Sequence, residues 1–163
     1  MTNTAIQIER AIPEQATRLT QIAHAAKSYW GYPAHWIELW HDQLHITPTY
    51  IASQDVYVAL VDGVILGFYA LTGSGEKLQL DHMWVMPVAI RQGIGRAMFE
   101  HALHRAVERD AKIVQIEADP NAEGFYQKMG AQTVGEVSYT LEGQRRSLPF
   151  MEIVLPPPSP IKP

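Results

Sequence analysis

The order in which apolar periods of two and of 3.6 residues follow one another predicts a mixed α/β chain of the α+β type. Its sheet is expected to be mostly antiparallel and flanked by helices. Three observations carry this. Short alternating runs are joined by tight-turn dipeptides, long stretches carry one apolar helical face, and one strand leads through a glycine-bearing loop into a helix and out into another strand. The expected order is β-α-α-β-β-β-α-β-α-β-β.

Ala5–Arg10 (AIQIER) alternates as a half-buried strand does. Pro13 then suits a first helical turn. From Glu14 to Lys27, Leu19, Ile22, Ala23 and Ala26 fall on one helical face, and Gly31 and Pro33 end that helix. A second helix is expected over Ala34–Leu44, rich in Trp and His. Strands follow at Val56–Val61 and Val64–Leu71, joined by the hairpin signal Asp62-Gly63. Leu78–Val85 reads as a third antiparallel strand that stops before Pro87. A long helix from about Gly93 to Arg109, a strand at Lys112–Ala118 and a short helix over Asn121–Met129 closed by Gly130 come next. The unit from Leu78 to Ala118 should put two parallel strands side by side. Strands around Gln132–Leu141 and Ser147–Leu155 finish the fold, with Gly143 in their turn.

A chain of 163 residues, 47% hydrophobic and 18% charged, suits one domain with one sizeable core. That domain is expected to span 1–155, and the five prolines within 156–163 give an expected disordered tail. Cysteine is absent, which excludes a disulfide framework, a Cys-based zinc site and a cysteine nucleophile. The net charge of −4 argues against nucleic acid as the main partner. No stretch approaches the apolar length of a membrane span, and Met1–Arg10 lacks the charged-then-apolar order of a signal peptide. A cytoplasmic chain with no membrane partner is expected. His35, His41 and His45 lack partner acids at metal-like spacing, apart from His41-Asp42, and are read as solvated helix positions; no metal is expected.

The sharpest feature is Arg91-Gln92-Gly93-Ile94-Gly95-Arg96, after a strand and at the opening of a helix. The first helical turn has unpaired N–H groups and a partial positive charge, and glycines let an anion reach the backbone. Such a terminus holds phosphate. A bare G-x-G is, by itself, better read as a glycine-rich helix start with no ligand. A dinucleotide fingerprint would need Gly at Met98, and there is no Walker Gly-Lys-Ser/Thr.

The run Leu80-Asp81-His82-Met83-Trp84-Val85-Met86-Pro87 and then Arg91–Met98 resembles motif A of the GCN5-related N-acetyltransferases. The block Glu117–Ala131, with Asn121 and Tyr126, resembles their motif B. The likeness covers roughly a third of the chain, Leu78–Ala131. It implies the fold of that family and an enzyme that moves an acetyl group from acetyl-CoA to a primary amine by direct attack in a ternary complex. It implies that Met83, Trp84 and Val85 contact the pantetheine arm, and that Arg91, Gln92, Gly93, Ile94, Gly95 and Arg96 hold the pyrophosphate. Asn121 would hydrogen-bond the arm, and Tyr126 would protonate the leaving thiolate. A backbone N–H near Val85 would hold the developing oxyanion. One departure is visible: the family's Gln or Arg three residues before the first Gly is Ile90 here, with Arg91 beside it.

An amine must lose a proton before it attacks. Along the strand, Gln79, Asp81 and Met83 share one face and Leu80, His82 and Trp84 the other. The resemblance implies a carboxylate or His base from this strand, and Asp81, which shares the parity of the positions the family uses, is favoured over His82 on the more apolar side; a structural role for Asp81 stands beside that. Tyr29-Trp30-Gly31-Tyr32-Pro33, with Trp36 and Trp40, lies where the family walls its acceptor site, or else packs two helices. These aromatics favour a small-molecule amine acceptor, with a protein N-terminus or lysine as the alternative. A non-catalytic acyl-CoA sensor of the same fold is the other class of reading. The final strands leave an edge that must be covered, paired or blunted, with Pro149 and the proline tail as candidates for blunting it; the resemblance implies a homodimer through these C-terminal strands or through the sheet edge.

Overall fold

A computed structural model of the chain describes residues 5–157. Residues 158–163 of the expected tail lie outside the described residues; Pro156 and Pro157 are exposed and follow the last strand without regular structure. Seven strands form a sheet in the order β1-β2-β3-β4-β5-β7-β6. The chain divides into two compact units. One holds the chain through Leu71 together with His82–His101, the other Thr72–Asp81 together with the chain from Ala102 on.

In the first unit, β1 (Ile6–Arg10) pairs antiparallel with β2 (Asp55–Val61), and β2 with β3 (Val64–Thr72). The β2–β3 turn is Asp62-Gly63, both at positive φ (52° and 77°), which is the backbone that the right-handed twist of a two-residue hairpin requires. A 3₁₀ turn at Pro13–Gln15 leads into α1 (Ala16–Ser28), whose buried stripe is Ala16, Leu19, Ile22, Ala23 and Ala26. All of this stripe but Ala26 packs with Ile51, Val56, Val58, Phe68 and Ala70 in one core.

The single helix expected over Ala34–Leu44 is two short ones, α2 (Ala34–Leu39) and α3 (His41–Leu44). They break at Trp40, whose φ of −89° and ψ of 7° lie outside the helical well. An apolar periodicity continues through such a one-residue break, so it does not show in the pattern. A further helix, α4 (Pro48–Ser53), lies outside the expected elements, although its signal is present in the sequence. The Thr47 hydroxyl caps it by accepting from the Tyr50 N–H at 3.0 Å, and Pro48 sits at the first helical position.

In the second unit, the first residues of β4 (Lys77–Val85) pair parallel with β5 (Ile113–Glu117), from Lys77–Ile113 to Gln79–Gln115. The remaining ladders there are antiparallel: β5 with β7 (Gln144–Val154), and β7 with β6 (Gln132–Leu141). The last strand begins three residues earlier than its sequence suggests. Its turn, Glu142-Gly143, is again at positive φ (51° and 77°), and Glu is a weak signal for such a turn. Helix α5 (Ile94–Glu108) and the short α6 (Glu123–Lys128) complete the elements.

Candidate active site

The glycine loop follows β4 as expected. A 3₁₀ turn over Pro87–Ala89 and an extended Ile90 bring the chain to Arg91 at φ 68° and Gly93 at φ 84°. Nothing lies within 4 Å of the Cβ that Gly93 lacks. The glycine is therefore required by its left-handed backbone, not by crowding. Arg91 takes a similar conformation with a side chain, a costly state for a non-glycine residue. Ile94 and Met98 are buried and anchor the first turn of α5, while Arg91, Gln92, Gly93 and Arg96 are exposed. Arg96 Nε bonds Glu100 at 3.0 Å in an exposed pair one turn on. Free N–H groups of a first turn, two guanidinium groups and an open glycine face suit a diphosphate.

The backbone at the end of β4 has a defined direction. Met86 N–H donates to Leu66 O on β3 at 2.8 Å. Backbone groups alternate sides along a strand, so Trp84 turns its N–H and C=O toward β3 and Val85 and Met83 turn theirs away. Gly67 on β3 agrees with this. A Cβ there would stand 3.0 Å from the Trp84 carbonyl, 3.0 Å from Met98 Cε and 3.3 Å from Ile94 Cγ2. A lone glycine in a strand pattern signals such a close approach, and Gly67 within Val64–Leu71 is that signal.

Side chains on β4 alternate as expected. Leu80 is buried and Asp81 is exposed. His82 and Trp84 lie on the face opposite Asp81, toward the α1 core. Trp84 Nε1–H donates to His82 Nδ1 at 3.0 Å. A neutral imidazole has one in-plane lone pair, and in this arrangement it accepts from the indole.

In the second unit, Asp119 caps the 3₁₀ turn Pro120–Ala122. Its Oδ1 accepts from both the backbone N–H and the side-chain Nδ2 of Asn121, each at 2.8 Å. Tyr126, on α6, is buried. Burial first, and then the charge of Asp119, raise its phenol above the ordinary value, so it holds its proton. Asp119 thus orients Asn121 and bears on Tyr126. Sequence reasoning assigns it no role, although Asp-Pro-Asn is an Asx-turn signal.

The aromatics near the acceptor helices divide into two groups. Tyr29 and Trp30 contact edge-to-face at 5.0 Å and are 51% and 41% exposed, rather than enclosed. Tyr32, Trp36 and Trp40 are half-buried and contact one another. Two clefts flank His24. One, of about 410 Å³, is lined by Ile37, Glu38, Leu39, His41 and Asp42, and the other, of about 380 Å³, by residues of α1 with His45, Ile46 and Pro48. Neither is lined by the glycine loop. Among the described residues no group of three or more His, Cys, Asp or Glu could hold a metal ion, and no helix is long and apolar enough to cross a membrane.

A family model described as an acetyltransferase (GNAT) domain matches residues 20–143. The chain is 30% identical over 106 residues to the peptidyl-lysine N-acetyltransferase YiaC of Escherichia coli (strain K12), covering 64% of this chain and 69% of that protein. It is 29% identical over 126 residues to the peptidyl-lysine N-acetyltransferase YjaB of Salmonella typhimurium (strain LT2), 77% of each chain. Among solved structures it is similar to the paia N-acetyltransferase of Thermoplasma acidophilum in complex with coenzyme A, at a TM-score of 0.74 and 18% identity, over 92% of this chain and 99% of that one. Fold and family together define an acetyl-CoA-dependent N-acetyltransferase. The chain belongs to the GNAT family, the GCN5-related N-acetyltransferases.

Proposed function

We propose that this chain acetylates a primary alkylamine, with the ε-amino group of a peptidyl lysine as the first acceptor to test and a small-molecule amine as the second. The matched family carries the chemistry, and the similarity to two peptidyl-lysine N-acetyltransferases favours lysine over the small molecule expected from the aromatics. Both acceptors present the same reacting group.

When bound, acetyl-CoA supplies the acyl thioester. The N–H groups of Arg91–Arg96, with the guanidinium groups of Arg91 and Arg96, hold its diphosphate. Met83 and Val85 offer backbone groups that β3 does not use, so they pair with the pantetheine arm and Val85 N–H stabilises the developing oxyanion. The Trp84 backbone faces β3, which leaves its side chain to contribute. Asn121, steadied by Asp119, bonds the arm.

Asp81 takes the proton of the amine, through water; His82 is disfavoured by its bond to Trp84. The amine nitrogen attacks the thioester carbonyl, the C–S bond breaks with its electron pair going to sulfur, the remaining ammonium-type proton of the new amide passes to water, and the Tyr126 O–H hydrogen-bonds the departing thiolate, which takes its proton from solvent. A thiolate whose thiol has a pKa near ~8.5 is a weaker base than a phenolate whose phenol lies above ~10, so complete proton transfer from Tyr126 is uphill by at least ~2 kcal/mol. Tyr126 therefore acts chiefly by hydrogen bonding to the thiolate. The exposed outer strand β6 supports a homodimer formed along it.

The test is thiol release from acetyl-CoA with a lysine peptide and with small primary amines, each product confirmed by mass. Acetylated lysine supports the reading. Acetylation confined to small amines reverses the order of acceptors. Thiol release with no acetylated amine overturns both.

A further inference from the structure

Tyr32, Trp36 and Trp40 recur every fourth residue, which places them along one side of the chain as it passes through α2. Ring centroids lie 5.1 Å apart for Tyr32–Trp40, 6.0 Å for Trp36–Trp40 and 6.2 Å for Tyr32–Trp36, and the Tyr32 and Trp40 planes are perpendicular at 89°. Lys27, in the last turn of α1, reaches this group. Its Nζ is 4.7 Å from the centre of the Tyr32 ring and 4.5 Å from that of Trp40. Both distances are within the range in which the negative face of a ring attracts a cation. A lysine side chain is itself a primary alkylammonium on a four-carbon stem. The chain's own residue thus shows which chemistry these rings accept.

We propose that Tyr32, Trp36 and Trp40 form an ammonium-binding box, filled by Lys27 in the free protein and taken over by an alkylammonium group of the acceptor. The nitrogen that reacts must be neutral, whereas a group held over ring faces is held as a cation. The ammonium in the box is therefore a second one. The favoured acceptor carries two amino groups, either as a diamine or as a lysine with another basic group near it. That last step rests on the alkylamine reading given above; the box itself does not.

Calorimetry with tetramethylammonium tests the box with a probe that cannot be acetylated. Lys27→Ala should bind it about 5-fold or more tighter than the unaltered chain, since the tethered competitor is gone. In that background Trp40→Leu should abolish binding and Trp40→Phe, which keeps a ring face, should retain it. Equal affinity in all four proteins overturns the box, provided each melts cooperatively. Kinetics test the acceptor. A four-carbon terminal diamine should show a KM about 5-fold below that shown by n-butylamine, a preference lost in Trp40→Leu and kept in Trp40→Phe. Turnover of both amines without preference overturns the assignment of the box to the acceptor. Tetramethylammonium binding with no turnover of any amine leaves the box standing and overturns the alkylamine reading.

Discussion

The loop after β4 and the helical segment from Lys27 to Trp40 are both suited to charged groups, but by different means. The loop offers backbone N–H groups to an anion, and its required features are conformational: Gly93 at φ 84°, Arg91 at φ 68°, and a buried Ile94 and Met98 beneath the first turn of α5. The helical segment offers ring faces to a cation, and its features are matters of packing, with three rings 5.1–6.2 Å apart and one ammonium over two of them, Tyr32 and Trp40. A backbone site is held by glycines and a helix start, which a sequence displays. A side-chain site depends on which rings meet, which only the fold decides.

The sharpest way to break this contrast is at Gly93. Asp at this position meets a left-handed backbone and sets a carboxylate where the diphosphate is expected, so CoA affinity should fall by about 100-fold or more by calorimetry on folded protein. Trp40→Leu should leave CoA affinity near its starting value. Unchanged affinity in Gly93→Asp would sink the role of the loop.

Tyr126→Phe comes next. It keeps the ring and removes the proton, and kcat should fall by ~10²-fold with CoA affinity little changed. Because the phenol's pKa is raised in the fold, it stays protonated at neutral pH, and the kcat profile should show no limb from Tyr126 below pH ~10. The stability it lends is present below the unfolded value of ~10 and is lost as pH rises above it. An undiminished kcat would remove Tyr126 from the chemistry.

Gly67→Ala should have a smaller effect that joins fold to site. The added methyl meets the Trp84 carbonyl and Met98 at 3.0 Å and Ile94 at 3.3 Å. A destabilisation of about 1–3 kcal/mol is expected from thermal melting, together with a few-fold loss of CoA affinity as the start of α5 shifts. Lost stability with unaltered affinity would make Gly67 a packing residue alone.

The smallest effect concerns His24, whose pKa is lowered by burial and then by His41 and His45. A lowered histidine pKa gives stability that is present above the unfolded value of ~6.5 and lost as pH falls below it. Melting temperature should decline slightly below pH ~6.5, and His41→Gln should flatten that decline. A decline of the same size in the variant would place its origin elsewhere.

The strands were legible because a period of two and the turn pair Asp62-Gly63 are local features. The loop was legible for the same reason. The break at Trp40 was not, because one residue's dihedrals leave the apolar pattern unchanged. Helix α4 could have been found from Thr47 and Pro48, and Gly67 from its place inside Val64–Leu71. The bonds from Trp84 to His82, Tyr69 to His101 at 2.6 Å and Asn121 to Asp119 depend on which groups tertiary or turn geometry brings within reach. Parity placed Asp81 and His82 on opposite faces, but the indole bond to His82 depends on the fold and is not visible in the pattern.

The central claim is direct transfer of acetyl from acetyl-CoA to an alkylamine while both are bound, in a chain with no cysteine to carry the acyl group. Initial rates measured over a grid of acetyl-CoA and lysine-peptide concentrations test it most directly. Converging double-reciprocal lines, with one acetylated peptide formed per thiol released, are the expected result. Parallel lines, which signal an acylated enzyme on the path, would contradict it.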